Sequence, residues 1–89
     1  MKFRMWGKLW KDNHLLKDHV AENCDYSLSR TAMVFQAVEE ICQEFDLSQP
    51  IWLDANINEF KRHDRTRFRQ DSFIESIEFD YLEIHVIEE

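Results

Sequence analysis

Residues 2–11 alternate. Phe3, Met5, Gly7 and Leu9 fall on one side of an extended chain and Lys2, Arg4, Trp6, Lys8 and Trp10 on the other, a period of two that predicts a strand with one apolar face. Asp12-Asn13 follows, and both residue types tolerate the positive φ that a two-residue hairpin turn requires. Residues 2–23 are therefore expected to form a β-hairpin. If the turn sets the register, Leu9 faces Leu16 and Met5 faces Val20 on the core side, while Trp10 meets Leu15, Lys8 meets Lys17 and Trp6 meets His19 on the other. Lys8 opposite Lys17 is an unfavourable like-charge pair. It calls for an acidic neighbour, a different register or an acidic ligand.

Beyond the hairpin the period changes. From Ser27 or Ser29, each a suitable N-cap, to Asp46, the residues Val34, Val38, Ile41 and Phe45 stack on one helical stripe flanked by Phe35, Ala37 and Cys42. Gln36, Glu39, Glu40, Gln43 and Asp46 fill the opposite face, and Ser48-Gln49-Pro50 is expected to end the helix, because proline lacks a backbone donor. Ile51-Trp52-Leu53 reads as a short buried strand. Asn56 followed by Glu59 has the spacing of a capping box, opening a short helix with Ile57 and Phe60 inward.

Arg65-Thr66-Arg67-Phe68-Arg69 alternates again, as an extended or irregular segment. The stretch from Ser76 to about Glu88 is rich in β-branched and aromatic residues, as a strand should be. Its inward phase moves from Ile77 and Phe79 to Leu82, Ile84 and Val86, which predicts a bulge near Asp80-Tyr81. Gly7, in mid-strand, marks a bulge or a close packing contact.

These elements predict an α+β fold: an antiparallel sheet made of the N-terminal hairpin plus the C-terminal strand, one main amphipathic helix packed on one face, and a second short helix. Residues 1–89 form one domain, with no repeat, linker or low-complexity tract. A chain of this length can bury roughly 60 to 65% of its unfolded surface. With 44% apolar and 13% aromatic residues it is too hydrophobic for the disordered class. Cys24 and Cys42 are too few for a disulfide framework and too far apart for a Cys-x-x-Cys motif, so both are expected as reduced thiols. Charges interrupt the N-terminus where a signal peptide needs an apolar run, and no later stretch is long and apolar enough to span a bilayer. The expectation is a cytosolic protein without membrane contact.

Charge is sorted into blocks. Residues 1–17 carry a balance of +4, residues 18–60 of −8, residues 61–69 (KRHDRTRFR) of +4, and residues 70–89 of −7, for a net −7. Such segregation means either that the folded chain pairs its own blocks or that one block meets an external partner. A net −7 opposes general affinity for nucleic acid or anionic membranes, so any such binding must come from a local basic face.

Two segments could supply one. Arg4, Trp6, Lys8 and Trp10, with Lys17 across the hairpin, interleave cations and indoles as single-strand nucleic-acid platforms do. Lys61, Arg62, Arg65, Arg67 and Arg69, with Phe68 among them, form the second, its guanidinium forks suited to phosphates or carboxylates. For both, the plainer interpretation is a solvated or internally paired face. A metal set drawn from His14, His19, Cys24, Cys42, His63 and His85 matches no known ligand spacing, and no cofactor motif is present. With Gly7 the single glycine, phosphate-cradling loops and glycine-built oxyanion holes are absent too. No residue set carries a catalytic signature.

The segments PIWLDANINEFKRH and RTRFRQDSFIESIEFDYLEIHVIEE, together with the WKDNHLLKD hairpin, resemble a family of small uncharacterised bacterial proteins. The resemblance implies a folded bacterial domain, and it carries no activity, cofactor, partner or residue role. The expectation from the chain itself is a non-enzymatic interaction protein that docks an acidic protein surface or a second copy of itself. The alternative is a nucleic-acid-binding module that uses the same cations and aromatic residues.

Overall fold

The computed structural model describes residues 2–89. Asp12 and Asn13 both take positive φ, 52° and 64°, and close the hairpin of β1 (Phe3–Lys11) and β2 (His14–Asn23). Helices α1 (Arg30–Glu44) and α2 (Asp54–His63) follow, then β3 (Arg65–Phe68) and β4 (Tyr81–Glu88). The fold is α+β. Its four strands form one antiparallel sheet of order β2-β1-β4-β3, so the N- and C-terminal strands are the central pair and β2 and β3 are its edges.

The hairpin register differs from the expected one. Trp10 does meet Leu15, but the pairing shifts between Leu9 and Trp10, so that Leu16 is an extra residue and Leu9 meets Lys17, Lys8 meets Asp18, Trp6 meets Val20 and Met5 meets Ala21. A one-residue bulge moves every later side chain of β2 to the opposite face. It replaces the Lys8–Lys17 repulsion with a Lys8–Asp18 pairing. It also turns His19 toward α1, where its Nε2 lies 2.7 Å from Glu40 Oε2, and places the small side chain of Ala21 in the core.

Helix α1 lies on the apolar face of the sheet and approaches β1 closely. A Cβ built on Gly7 would lie 2.5 Å from Ile41 Cγ2, so the glycine is required for the helix–sheet distance and not for a turn. Ser29 caps the helix, its Oγ accepting from the Ala32 N–H at 3.1 Å. The helix stops before the Ser48-Gln49-Pro50 break expected to end it. Asp46 takes φ 55°, its N–H donates to Gln43 O and that of Leu47 to Cys42 O at 2.8 Å, a Schellman motif with aspartate in the glycine position.

Ile51-Trp52-Leu53 forms no strand, correcting the buried strand expected there. Ile51 is 48% exposed, and its N–H donates to Ser72 O. Trp52 instead packs edge-on against Phe35, Phe60 and Phe68, with ring centroids 5.9, 5.4 and 5.0 Å away. Helix α2 starts earlier than the expected capping box, with Leu53 as N-cap and Asn56 at the third helical position. Asn56 Oδ1 accepts from Leu53 N–H while its Nδ2 donates to Thr66 Oγ1 and Arg67 O, which ties α2 to β3 from a buried position. Phe60 is inward as expected; Ile57 is 37% exposed.

The C-terminal strand begins at Tyr81 rather than Ser76. Residues 76–80 form an irregular segment under the end of the sheet, where Phe79 packs against Phe73 at 5.6 Å. This explains the apparent phase shift of the apolar positions. The bulge of β4 lies at Ile87, between the Arg4–Glu88 and Met5–Val86 pairs, and not at Asp80-Tyr81. Arg65–Phe68 is a true strand, with Thr66 and Phe68 inward.

Candidate functional site

Residues directly opposed in an antiparallel pair share a face, so the register defines the side of the sheet turned away from the helices. One row across it is Val20, Trp6, His85 and Arg65; the next is Asp18, Lys8, Glu83 and Arg67; a third is Leu15, Trp10 and Tyr81. A fourth, at the open end of β1, is Glu22, Arg4 and Glu88. The contacts of α1 and α2 are with the other face, through Gly7 and Thr66. The two basic segments of the sequence, 57 residues apart between Lys8 and Arg65, are thus brought onto one open surface by the insertion of β4 between β1 and β3.

Glu83 organises the centre. Its Oε1 lies 3.2 Å from Lys8 Nζ and its Oε2 accepts from Arg67 Nε at 3.2 Å, with the carboxylate side chain only 11% exposed. Burial pushes its carboxyl up, yet hydrogen bonds and charge from Lys8 and Arg67 outweigh this and hold it below the ordinary glutamate value. The Lys8 ammonium also sits 4.1 Å from the centroid of the Trp6 ring, whose Nε1 donates to Asp18 Oδ2 at 3.0 Å. Trp10 and Tyr81 pair at 6.5 Å, and the guanidinium groups of Arg67 and Arg69 lie over Tyr81 at 4.6 and 5.6 Å.

Charge is distributed unevenly across this face. Arg4 is paired with Glu22 and Glu88, and Lys2 with Glu22. Arg65 and Arg69 form no ion pair among the described residues. Together with Arg67, His63 and Glu59 they line a polar cleft of about 350 Å³ at the β3 margin, with Glu83 at its side. The face is therefore internally neutralised toward β2 and retains free positive charge toward β3.

Three residues expected in a contact surface are placed elsewhere. Phe68 is 0% exposed, in the core beneath the sheet, because the alternation that turns Arg65 and Arg67 outward turns Phe68 inward. Lys17 opposes Leu9 and so belongs to the helix side of edge strand β2. Arg62 is exposed on α2 and does not line the cleft. Conversely, Tyr81 and Glu83, not singled out from the sequence, and His85, named there only in a metal set, join the surface. Their alternation with Leu82, Ile84 and Val86 carried the signal, but only the strand order shows which neighbours they meet.

Other concavities are of different character. A groove of about 820 Å³ at the hairpin end has an apolar floor that includes Leu9, Leu47 and Phe79 and an acidic rim of Asp46, Glu75 and Glu78. A smaller one, about 350 Å³, lies between the helices beside Phe35, Trp52 and Ile57. Cys24 is exposed, Cys42 is buried, and both are free thiols. Among the described residues no group of three or more His, Cys, Asp or Glu is arranged to hold a metal ion, and no helix is long and apolar enough to cross a membrane.

The fold and this face define an α+β domain with an open, aromatic and partly self-neutralised sheet surface. No family model matches the chain, and no curated protein or solved structure matches it.

Proposed function

We propose that this chain is a small, non-enzymatic interaction domain of the cytosol that docks an acidic protein surface through the open face of its sheet. The observation that carries the reading is the face itself: Trp6, Trp10 and Tyr81 lie half-buried beside Arg67 and the unpaired Arg65 and Arg69, with both helices on the other side. Aromatic and arginine side chains on an uncovered sheet are the residue types that anchor protein interfaces. The acids woven through the face favour a protein partner over nucleic acid. Asp18, Glu22, Glu83 and Glu88 are interleaved with the cations across the face, whereas a phosphodiester chain brings a charge with every nucleotide and needs a continuous basic track.

The test is capture from lysate at low salt, with and without nuclease, followed by purification of the retained protein and direct titration against it. The reading expects a partner that survives nuclease, binds through an acidic segment, and loses at least tenfold in affinity to Arg65→Glu/Arg69→Glu. Loss of the captured material on nuclease treatment, with steeply salt-dependent binding of an oligonucleotide, would establish the nucleic-acid alternative instead. Binding unaffected by the charge reversal would remove the open face from consideration.

A further inference from the structure

Arg65, Arg67 and Arg69 form a regular row. Residues two apart on a strand repeat at roughly 6.6 Å and point to the same side. Arg69 lies just past β3, but its φ of −99° and ψ of −171° continue the extended chain, so the alternation holds for all three arginines. Arg67 and Arg69 are further oriented by stacking on Tyr81, and Arg67 uses only Nε on Glu83, which leaves its two terminal nitrogens free. Among the described residues Arg65 and Arg69 have no carboxylate partner. The intervening Thr66 and Phe68 are buried, so the row is fixed from beneath.

We infer that the acidic partner presents an extended segment with a carboxylate at every second position, laid along β3 so that successive carboxylates meet Arg65, Arg67 and Arg69. This deepens the docking reading and rests on it. The repeat distinguishes the occupant. An extended peptide repeats its same-side residues at roughly 6.6 Å, the repeat of the backbone positions that carry the three arginines. A helix returns every fourth residue after about 6.0 Å but turns by about 40° each time, so its third acid points off the row. A peptide can also leave its other positions uncharged where it passes Glu59 and Glu83 in the cleft. Planar guanidinium forks donate to carboxylates in the two-point geometry that such a row repeats.

The experiment titrates the whole protein, by amide chemical shifts at low salt, with acetyl-Glu-Thr-Glu-Thr-Glu-amide and with its isomer acetyl-Thr-Glu-Glu-Glu-Thr-amide. The inference expects the alternating peptide to bind at least fivefold more tightly, with shifts concentrated on β3 and β4. Arg65→Ser/Arg69→Ser is expected to abolish that preference while keeping the native fold, since among the described residues neither side chain holds an ion pair and Arg69 gives up only an exposed contact with Tyr81. Absence of binding, or shifts away from β3, would overturn the inference. Equal affinities for the two isomers, both lost in the variant, would overturn the strand geometry yet leave acidic docking standing. Failure of the docking reading itself is detected separately, by a purified partner indifferent to the arginines.

Discussion

Replacing Gly7 by alanine tests the packing that holds α1 on the sheet. The added methyl would sit 2.5 Å from Ile41 Cγ2 and 2.9 Å from its Cδ1, against an ordinary carbon–carbon separation of about 3.5–4.0 Å. Ile41 is fully buried and belongs to a packed helix, so the overlap is relieved only by a shift of α1 or a strained rotamer. Overpacking of this kind costs about 1–3 kcal/mol. Lower entropy of the unfolded chain returns about 0.4–1 kcal/mol of that. The net loss of about 1–2 kcal/mol corresponds to a fall in Tm of roughly 5–15 °C for a domain of this size. Urea denaturation followed by circular dichroism measures it.

A double-mutant cycle with Ile41→Ala then locates the cause. That substitution alone costs about 2–5 kcal/mol through the cavity it leaves, and the Gly7→Ala methyl would fill part of the vacated space. The double variant should therefore be more stable than the two losses predict, by about 1–2 kcal/mol. A Gly7→Ala protein as stable as the parent, or two losses that simply add, would refute the account of helix–sheet spacing.

Two further outcomes follow from buried titratable groups. Glu83→Gln removes the charge shared by Lys8 and Arg67 and should cost about 1–3 kcal/mol at pH 7, less than a fully buried pair because Arg67 is 46% exposed. Since the folded Glu83 carboxyl lies below its unfolded value, its contribution is complete above about pH 4.5 and disappears as pH falls through the folded value. The stability gap between parent and variant should therefore close in acid; a gap unchanged down to pH 3 contradicts the Glu83 cluster. Burial pushes the Cys42 thiol up to about 11, whereas Cys24 is exposed. A thiol-disulfide reagent at pH 8 should modify one cysteine rapidly and the second only on unfolding, and two fast thiols would mean that α1 opens readily.

The sequence by itself determined the elements whose signals are local. Alternation in residues 2–11, the Asp12-Asn13 turn, the stripe of Val34, Val38, Ile41 and Phe45, and a serine cap at Ser27 or Ser29 each depend on neighbours within one strand or a few helical turns. All four are present in the α+β fold. What escaped was non-local. The bulge at Leu16 is favoured because it seats Ala21 under α1 and sets Asp18 opposite Lys8, and those partners lie on other elements or across the hairpin. Ile51-Trp52-Leu53 has strand composition, but Trp52 is held by three aromatic rings from α1, α2 and β3, not by a ladder.

The candidate surface divides in the same way. The arginines and tryptophans were legible as residue types, and their alternation showed which of them could share a side. Tertiary structure alone decided that β4 lies between β1 and β3. That order joins Lys8 to Arg67 through Glu83, sets the buried Phe68 beside Leu82, and, among the described residues, leaves Arg65 and Arg69 without an ion pair. The physical reason is that side-chain direction is a property of one strand, whereas strand order is settled by how the apolar faces of all the elements can be buried together.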